Sequence, residues 1–278
     1  MRQYRHGQIR VICPLEERSL LDFSELYATR RLAWVFIKRG VLTRYRQMAL
    51  GVGWLFLEPL AQLLLMSVVF GLLIKIDTGE YPFTIFVFAG LIPWLIMSKT
   101  LTAVASSLID NIAIISKVYF PRLILPLSAM VQELLNGLVI MAMLVGMSWL
   151  YGYPPNWKLV FVPFLFVYLS LSALGIGLLF ASITVKYRDF RPLLGVLIQA
   201  GFYTTPVFYP ASLVPDWLRF LYETNPMYWG VEFSRWIMLS KPLTLTPSIY
   251  ASFGLLLLSI LFGYVVFAKS ERSVIDAQ

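Results

Sequence analysis

The sequence predicts an all-α integral membrane protein with six transmembrane helices, and three observations support this. Six apolar stretches each have about the 20 residues that a helix needs to cross a ~30 Å hydrocarbon layer. Hydrophobic residues make up 59% of the 278 positions and charged residues only 14%, with a mean hydropathy of +0.74. This composition is too apolar for one water-soluble core. The distribution of Lys and Arg assigns each connection to one side of the membrane.

A basic part precedes the first apolar stretch. Residues 1–23 are predicted to be a cytoplasmic tail, and residues 24–50 an amphipathic helix lying in the membrane interface, with Ser24 as its N-cap. An apolar stripe recurs at helical spacing, at Trp34, Ile37, Val41, Tyr45 and Met48. The candidate cations for lipid phosphates are Arg30, Arg31, Lys38, Arg39, Arg44 and Arg46. These cations either only fix the orientation of the terminus, or also form a platform for lipid phosphates or a cytoplasmic partner.

The transmembrane domain is predicted over residues 52–268. Its spans lie at about 52–76, 82–107, 124–150, 159–185, 192–210 and 248–268. Seventeen Lys and Arg fall in the N-terminal part, the 2–3 and 4–5 connections and the tail 269–278, whereas five fall in the other connections. Because positive charge is retained in the cytoplasm, both termini are expected there.

Two connections have a composition of their own. Residues 110–122 are too polar to span, yet carry apolar side chains that suit a short helix on the cytoplasmic surface; the alternative is an ordinary loop. Residues 211–247 are too long for a bare loop and dense in aromatic residues. We expect two short helices there, opened by Pro215 and separated at Asn225-Pro226. They serve either as an aromatic anchor at the membrane surface or as a gate.

Three ionisable residues fall within predicted spans: Glu58, Lys99 and Glu133. A charge inside the bilayer costs about 2.5–3.5 kcal/mol or more, so such residues are functional candidates by default. Lys99 is expected to pair with Glu133 or Glu58. The alternatives are that these residues line a pore or couple transport to protons.

Enzymatic motifs are lacking in the sequence. No Gly-Lys dipeptide occurs, which excludes a Walker A phosphate loop, and GxSxG is missing. One Cys and one His cannot supply a disulfide or a zinc site within the chain. We therefore expect no catalytic residues, no metal site and no cofactor in this chain.

Five local strings occur in order along the spans. They are Arg44-Tyr45-Arg46 with Leu50-Gly51-Val52-Gly53-Trp54 and Glu58-Pro59-Leu60; Gly90-Leu91-Ile92-Pro93-Trp94; Asn111 with Lys117-Val118-Tyr119-Phe120-Pro121-Arg122 and Leu125-Pro126-Leu127; Tyr187-Arg188-Asp189-Phe190-Arg191 with Gln199 and Thr205-Pro206-Val207-Phe208-Tyr209-Pro210; and Asn225-Pro226-Met227. Together they closely resemble the membrane subunits of type-2 ABC exporters of lipid-linked polysaccharides, the O-antigen, capsule and teichoic-acid export permeases. The resemblance covers about residues 25–270.

The resemblance implies a permease that works as a dimer with two ATP-binding-cassette subunits, which bind the ATP and Mg²⁺. It implies docking on the ATPase through Asp110, Asn111, Lys117, Tyr119, Phe120, Pro121 and Arg122. It also implies that residues 211–247 form a hairpin re-entering the outer leaflet. The glycan channel and gate are expected to use aromatic rings: Phe202, Tyr203, Phe208, Tyr209, Tyr228 and Trp229.

The expected function is therefore export of a polyprenyl-diphosphate-linked polysaccharide across the bacterial cytoplasmic membrane, with membrane lipids as further partners and no nucleic acid. A nearer alternative is an exporter of drugs or small lipids with the same architecture. A membrane glycosyltransferase would need paired carboxylates or a His-bearing loop, and only Asp110, Asp189 and Asp216 stand at the membrane faces. An ion-coupled transporter of inverted repeats would need self-similar halves, which the sequence does not show.

Overall fold

The structure, a computed structural model, describes residues 4–5, 8–9, 27–44, 49–118, 120–187 and 189–275. Two strands of two residues, β1 (Tyr4–Arg5) and β2 (Gln8–Ile9), pair antiparallel near the N-terminus. All other regular elements in the described part of the chain are helical. Helix α1 (Arg30–Arg44) falls within the predicted interfacial helix, whereas Ser24, Tyr45, Arg46 and Met48 lie outside the described residues.

Helix α1 packs on the protein through a different face from the predicted stripe. Leu32, Ala33 and Phe36 contact the core, whereas Trp34 is 63% exposed. The packing face is set by a tertiary contact. Gly40 lies directly against the side chain of Gln132, so the backbone of α1 approaches that residue closely on this side. Of the described residues in the predicted stripe, Trp34 is exposed, and Ile37 and Val41 are partly buried.

The first membrane-length helix is a composite. A 3-10 turn (Gly51–Gly53) leads into α2 (Trp54–Met66), which continues as a π-helical segment (Ser67–Leu73). Pro59 lies inside α2, as membrane helices tolerate. Only 17% of the most apolar window of this helix is buried within the chain, so most of its surface faces outward.

Helix α3 (Phe83–Asp110) is the centre of the bundle. Its apolar window is 89% buried, because it packs against three helices that surround it. Helix α4 (Ile112–Ile115) follows as a single turn, and then come α5 (Ile124–Leu150), a 3-10 turn (Trp157–Phe161) and α6 (Val162–Lys186).

Small residues bring helices together within the chain, as the spacing of Ala173, Gly177 and Ala181 on α6 predicts. An added Cβ at Gly177 would lie 2.5 Å from Cγ1 of Val104 on α3. Gly175, on the other side of α6, faces Gly263 on α10 (Ser248–Ile275) just as closely. This stripe therefore packs against helices of its own chain.

The predicted fifth span is shorter than expected. Helix α7 (Phe190–Thr204) has 15 residues, about 22 Å of helix, and the segment from Thr205 to Pro210 that follows is not helical. In the described part of the chain, the helices long and apolar enough to cross a membrane are Gly51–Leu73, Phe83–Asp110, Ile124–Leu150, Trp157–Lys186 and Ser248–Ser270. These five fall on predicted spans 1–4 and 6, and the fifth predicted span, 192–210, stays a prediction.

The long connection after α7 contains the two predicted short helices. After a 3-10 turn (Ala211–Leu213) come α8 (Asp216–Thr224) and α9 (Pro226–Leu239). Asn225 separates them, since its side-chain oxygen accepts a hydrogen bond from the backbone N–H of Met227 at 3.0 Å and caps α9. Most of α9 is buried against α3 and α6.

Candidate functional site

A groove of about 1040 Å³ lies between α2, α3 and α7 and is open along one side. Its described lining residues are Ala49, Trp54, Leu55, Glu58, Gln62, Met66, Trp94, Leu95, Ser98, Lys99, Thr102, Ala103, Ser106, Gly195, Ile198, Gln199, Phe202 and Tyr203. Helices α2 and α7 stand apart on either side of the central helix α3, which leaves this space between them.

Aromatic rings form one part of the groove wall. Trp94 of α3 and Phe202 of α7 have ring centroids 5.7 Å apart. Gly201 makes this approach possible, because a Cβ there would lie 2.9 Å from the Trp94 indole. The site thus combines a flat indole face with phenyl and phenol rings.

The ring cluster continues from the groove into the segment after α7. The centroid of Phe208 lies 5.7 Å from that of Phe202 and 5.0 Å from that of Tyr209. Phe70 of the π-helical segment stacks on Phe208 at 4.6 Å. Four of the predicted gate residues, Phe202, Tyr203, Phe208 and Tyr209, are therefore brought together.

Tyr228 and Trp229, the other two predicted gate residues, lie elsewhere. Both are buried in α9, and the Trp229 indole N–H donates to the carbonyl of Glu223 at 2.7 Å. Neither is among the residues that line the groove. Their aromatic character serves packing, because a buried Trp needs a partner for its N–H and Glu223 supplies one.

An ion pair stands in the polar part of the groove. Nζ of Lys99 on α3 lies 2.7 Å from Oε2 of Glu58 on α2, with side chains 26% and 44% exposed. The structure therefore forms one of the two expected pairs. A half-exposed pair of this kind contributes about 0–1 kcal/mol, so its main effect is to neutralise two charges at membrane depth.

Glu133 is separate from this pair. It is 3% exposed on α5, and its Oε2 accepts a hydrogen bond from the Asn136 amide at 3.3 Å. It is not among the described residues that line the groove. Of the three predicted intramembrane charges, Glu58 and Lys99 line the groove and Glu133 does not.

The predicted coupling segment begins at the end of α3. Oδ1 of Asp110 lies 3.3 Å from Nη2 of Arg191 at the start of α7, and the Asn111 amide donates to the Ser107 carbonyl at 2.9 Å. Beyond α4, Lys117 is exposed, and Pro121 and Arg122 are half-buried. Tyr119 lies outside the described residues. The segment is thus joined to the base of α7.

Phe120 connects the coupling segment to the basic helix. It is 5% exposed, and its ring centroid lies 5.6 Å from that of Phe36 on α1. Two hydrogen bonds hold α1 on α5: Gln132 Nε2 donates to the Phe36 carbonyl at 3.1 Å and Ser128 Oγ to the Ala33 carbonyl at 3.4 Å. The elements predicted to meet the ATPase and the lipid phosphates therefore touch each other.

Most of the described cations of α1 point away from the protein. The side chains of Arg30, Arg31, Lys38 and Arg39 are exposed. Arg44 ends the helix, and its side chain, like Arg46, lies outside the described residues. Arg30 also donates a hydrogen bond to the Tyr27 carbonyl at 3.1 Å and lies over the Tyr27 ring.

A buried charged cluster at α9, formed by Glu232, Arg235 and Lys241, was not predicted from the sequence. Arg235 is fully buried, with its Nη1 2.9 Å from Oε1 of Glu232, and Lys241 Nζ lies 2.7 Å from Oε2 of the same carboxylate. The guanidinium also lies over the Phe86 ring at 3.7 Å. The spacing of Glu232 and Arg235, three residues apart on a helix, is the signal that could have found the pair.

A bundle of membrane-length helices with a polar and aromatic groove beside its central helix is the architecture of a multi-pass membrane protein. The chain belongs to the ABC-2 type transporter family of membrane proteins, which it matches over residues 31–239.

Curated relatives carry related names. The chain is 31% identical over 192 residues to the O-antigen export system permease protein RfbA of Myxococcus xanthus, covering 69% of this chain and 73% of that protein. It is 27% identical over 194 residues to the RfbA protein of Klebsiella pneumoniae, covering 69% and 74%. It is 22% identical over 246 residues to the polysialic acid transport protein KpsM of Escherichia coli, covering 86% and 93%.

Proposed function

We propose that this chain is the permease subunit of an ATP-driven exporter of lipid-linked polysaccharide, such as O-antigen, in the bacterial cytoplasmic membrane. The observation that carries the proposal is the groove, which is open and about 1040 Å³ in volume. It is lined by aromatic rings, aliphatic side chains, uncharged polar groups and the Lys99–Glu58 ion pair. The names of the relatives point to the same cargo class.

The chemistry of the groove suits a polymer that slides. Aromatic faces such as those of Trp94 and Phe202 pack on the C–H surfaces of sugars through many weak contacts. The amides of Gln62 and Gln199 line the same space and can exchange hydrogen bonds with hydroxyl groups. Weak, repeated contacts permit movement, whereas one tight site would stop it.

The proposed topology has six spans with both termini in the cytoplasm. In it α7 is the fifth span, completed by the segment from Thr205 to Pro210, and α8 and α9 re-enter the outer leaflet. The Lys and Arg distribution supports this orientation. Exposed Trp217 and Phe220 on α8 support a membrane contact for the hairpin.

Two copies of the chain would enclose the cargo path. In one copy the groove is open along one side, and exposed apolar side chains border it on α2 and α7, among them Phe56, Leu60, Leu197 and Val196. These side chains suit either lipid or the same faces of a second copy. A closed channel then needs no other membrane subunit.

Two ATP-binding-cassette subunits are proposed to bind the cytoplasmic side, at residues 110–122, and to supply ATP and Mg²⁺. Movement of this segment can reach the groove through the Asp110–Arg191 ion pair to α7. It can reach α1 through the Phe120–Phe36 contact. The exposed cations of α1 are proposed to meet the phosphates of membrane lipids and of the lipid carrier.

The test is ATP hydrolysis by the purified complex of this permease and its ATP-binding partner in phospholipid vesicles. We expect a polyprenyl-diphosphate-linked glycan to stimulate hydrolysis several-fold, and hydrophobic drugs or short-chain lipids to have no effect. Stimulation by drugs and not by the glycan would overturn the proposal and favour an exporter of small amphiphiles.

A further inference from the structure

Lys99 holds the positive charge of the groove. Of the described residues that line the groove, Lys99 and Glu58 are the two that carry charge. A lysine ammonium has three N–H donors, and Glu58 accepts one of them at 2.7 Å. About a quarter of the Lys99 side chain is exposed, so its ammonium can be reached from the cavity.

Glu58 is a counter-ion that can be displaced. Its side chain is 44% exposed, and within the described part of the chain its carboxylate is held by Lys99 through one oxygen. A pair this open is stabilised only weakly, since water competes for both partners. An incoming anion can therefore take the place of the carboxylate without breaking a buried network.

The depth of the pair places it on the route through the bilayer. Lys99 is 11 residues, about 16 Å, along α3 from Asp110, and Glu58 stands one turn inside α2. Gln62 lies one turn further along α2 and lines the same cavity. An anion bound to Lys99 would thus have the Gln62 amide as a further donor in the same groove. Trp94, five residues before Lys99 on α3, lines the groove as well.

We propose that Lys99 is an anion-binding subsite of the groove and that Glu58 is its exchangeable counter-ion, which competes with negative groups of the cargo. The inference rests on the proposed function and names a property of its cargo: it carries anionic groups that contact Lys99 during passage. Those groups are either the diphosphate of the lipid carrier or acidic groups of the sugars.

Competition by Glu58 lowers the affinity of the subsite for an anion, which favours release. Without Glu58, an anion on Lys99 would meet no competing carboxylate and would leave more slowly. With Glu58 present, the carboxylate returns to the ammonium as the anion leaves. Transport sites need binding that is strong enough for entry and weak enough for exit. Removal of Lys99 and removal of Glu58 should therefore have opposite effects on anion affinity.

The test measures binding to the full permease–ATPase complex in nanodiscs of uncharged phosphatidylcholine, without nucleotide. The probes are a polyprenyl diphosphate without sugar, an oligouronic acid without lipid, and a neutral dextran oligomer of the same length. We expect Lys99→Gln to weaken the binding of at least one anionic probe by about tenfold or more, the factor for one charge-assisted hydrogen bond. Glu58→Gln should strengthen it several-fold.

The matched control is Lys158→Gln, the same change at a lysine that lies over the Trp236 ring outside the groove; it should leave all three affinities unchanged. Lys99→Arg keeps the positive charge and should bind the anionic probe nearly as well as the wild type. If the weak binding of Lys99→Gln came from misfolding at this position, Lys99→Arg would bind weakly too. The probe that responds identifies the source of the anion.

The proposal is overturned if the wild-type complex binds neither anionic probe, or if Lys99→Gln and Glu58→Gln bind both like the wild type. Glycan-stimulated ATP hydrolysis by the wild type is recorded in parallel. If that stimulation is intact, the subsite alone has failed; if it is absent, the proposed function has failed as well.

Discussion

The Arg235 guanidinium on α9 donates a hydrogen bond to the carbonyl of Val207 at 2.8 Å, in the segment that follows α7. Asn225 adds a second tie, because its amide donates to the Thr205 hydroxyl at 3.2 Å. The segment that carries Phe208 and Tyr209 is therefore held by the helical hairpin that comes after it in the chain. Its position depends on buried charge rather than on its own helical structure.

Removal of Arg235 should strongly destabilise the protein. Arg235→Leu leaves the buried Glu232 carboxylate with Lys241 alone and frees the Val207 carbonyl. Loss of one partner of a buried pair costs about 3–5 kcal/mol. Thermal unfolding in detergent should show a marked fall in midpoint.

Arg219→Leu is the matched control, since that arginine is half-exposed and its partner Glu223 keeps hydrogen bonds from Thr246 and Ser248. Its loss should cost no more than about 1 kcal/mol. Equal midpoints for the two variants would contradict the role given to Arg235.

A methyl group at Gly90 should disturb the contact between α3, Arg235 and the Val207 carbonyl. In Gly90→Ala the new Cβ would lie 2.7 Å from the Val207 carbonyl oxygen and 3.0 Å from Nη2 of Arg235. Overpacking of this kind costs about 1–3 kcal/mol. Gly146→Ala is the control, because no atom lies within 4 Å of its added Cβ and alanine favours the helix. Unfolding measurements that rank the two variants in the reverse order would show that α3 and the post-α7 segment are not in close contact.

Truncation of Phe120 should weaken the contact that carries movement of residues 110–122 to α1, and so lower the export obtained per ATP. Phe120→Ala removes the ring that packs on Phe36 and leaves a cavity between the coupling segment and α1. We expect ATP hydrolysis by the reconstituted complex to persist, with fewer glycan molecules exported per ATP. Val118→Ala, in the same segment but 56% exposed, is the control and should export normally. An unchanged ratio in Phe120→Ala would remove this contact from the coupling path.

The groove rings should each contribute modestly to transport. Phe202→Ala removes a ring that contacts Trp94, Tyr203 and Phe208. Because an aromatic contact adds about 0.5–1.5 kcal/mol, export should slow roughly two- to tenfold without stopping. Phe262→Ala, on the outward face of α10, is the control for loss of an exposed ring. Normal export by Phe202→Ala would mean that the cargo does not touch this wall.

The helices of the bundle could be predicted because membrane spans are encoded locally. About 20 apolar residues identify a span without knowledge of its neighbours, and five predicted spans match helices of membrane length. The break at Asn225-Pro226 was equally local, because Asn is a favoured N-cap and Pro is favoured at the first position of a helix. The fifth predicted span was harder, because Pro206 and two threonines end α7 early within an otherwise apolar stretch.

The parts of the site that depend on tertiary packing could not be predicted. Trp229 looked like a gate ring from composition, yet its surroundings in the fold bury it. The packing face of α1 was missed because it depends on the contact of Phe36 with Phe120 and on the close approach of Gly40 to Gln132, which only the tertiary structure shows. Lys99 had two possible partners in sequence, and the spatial order of α2 and α5 around α3 decided for Glu58.

The central claim is that this chain forms the wall of a transport path and takes its energy from a separate ATPase. Inside-out vesicles containing either the permease alone or the permease with its ATP-binding partner should be supplied with polyprenyl-diphosphate-linked glycan and ATP. The account predicts glycan accumulation in the lumen only with both proteins present and ATP hydrolysed. Accumulation at the same rate with the permease alone would contradict it.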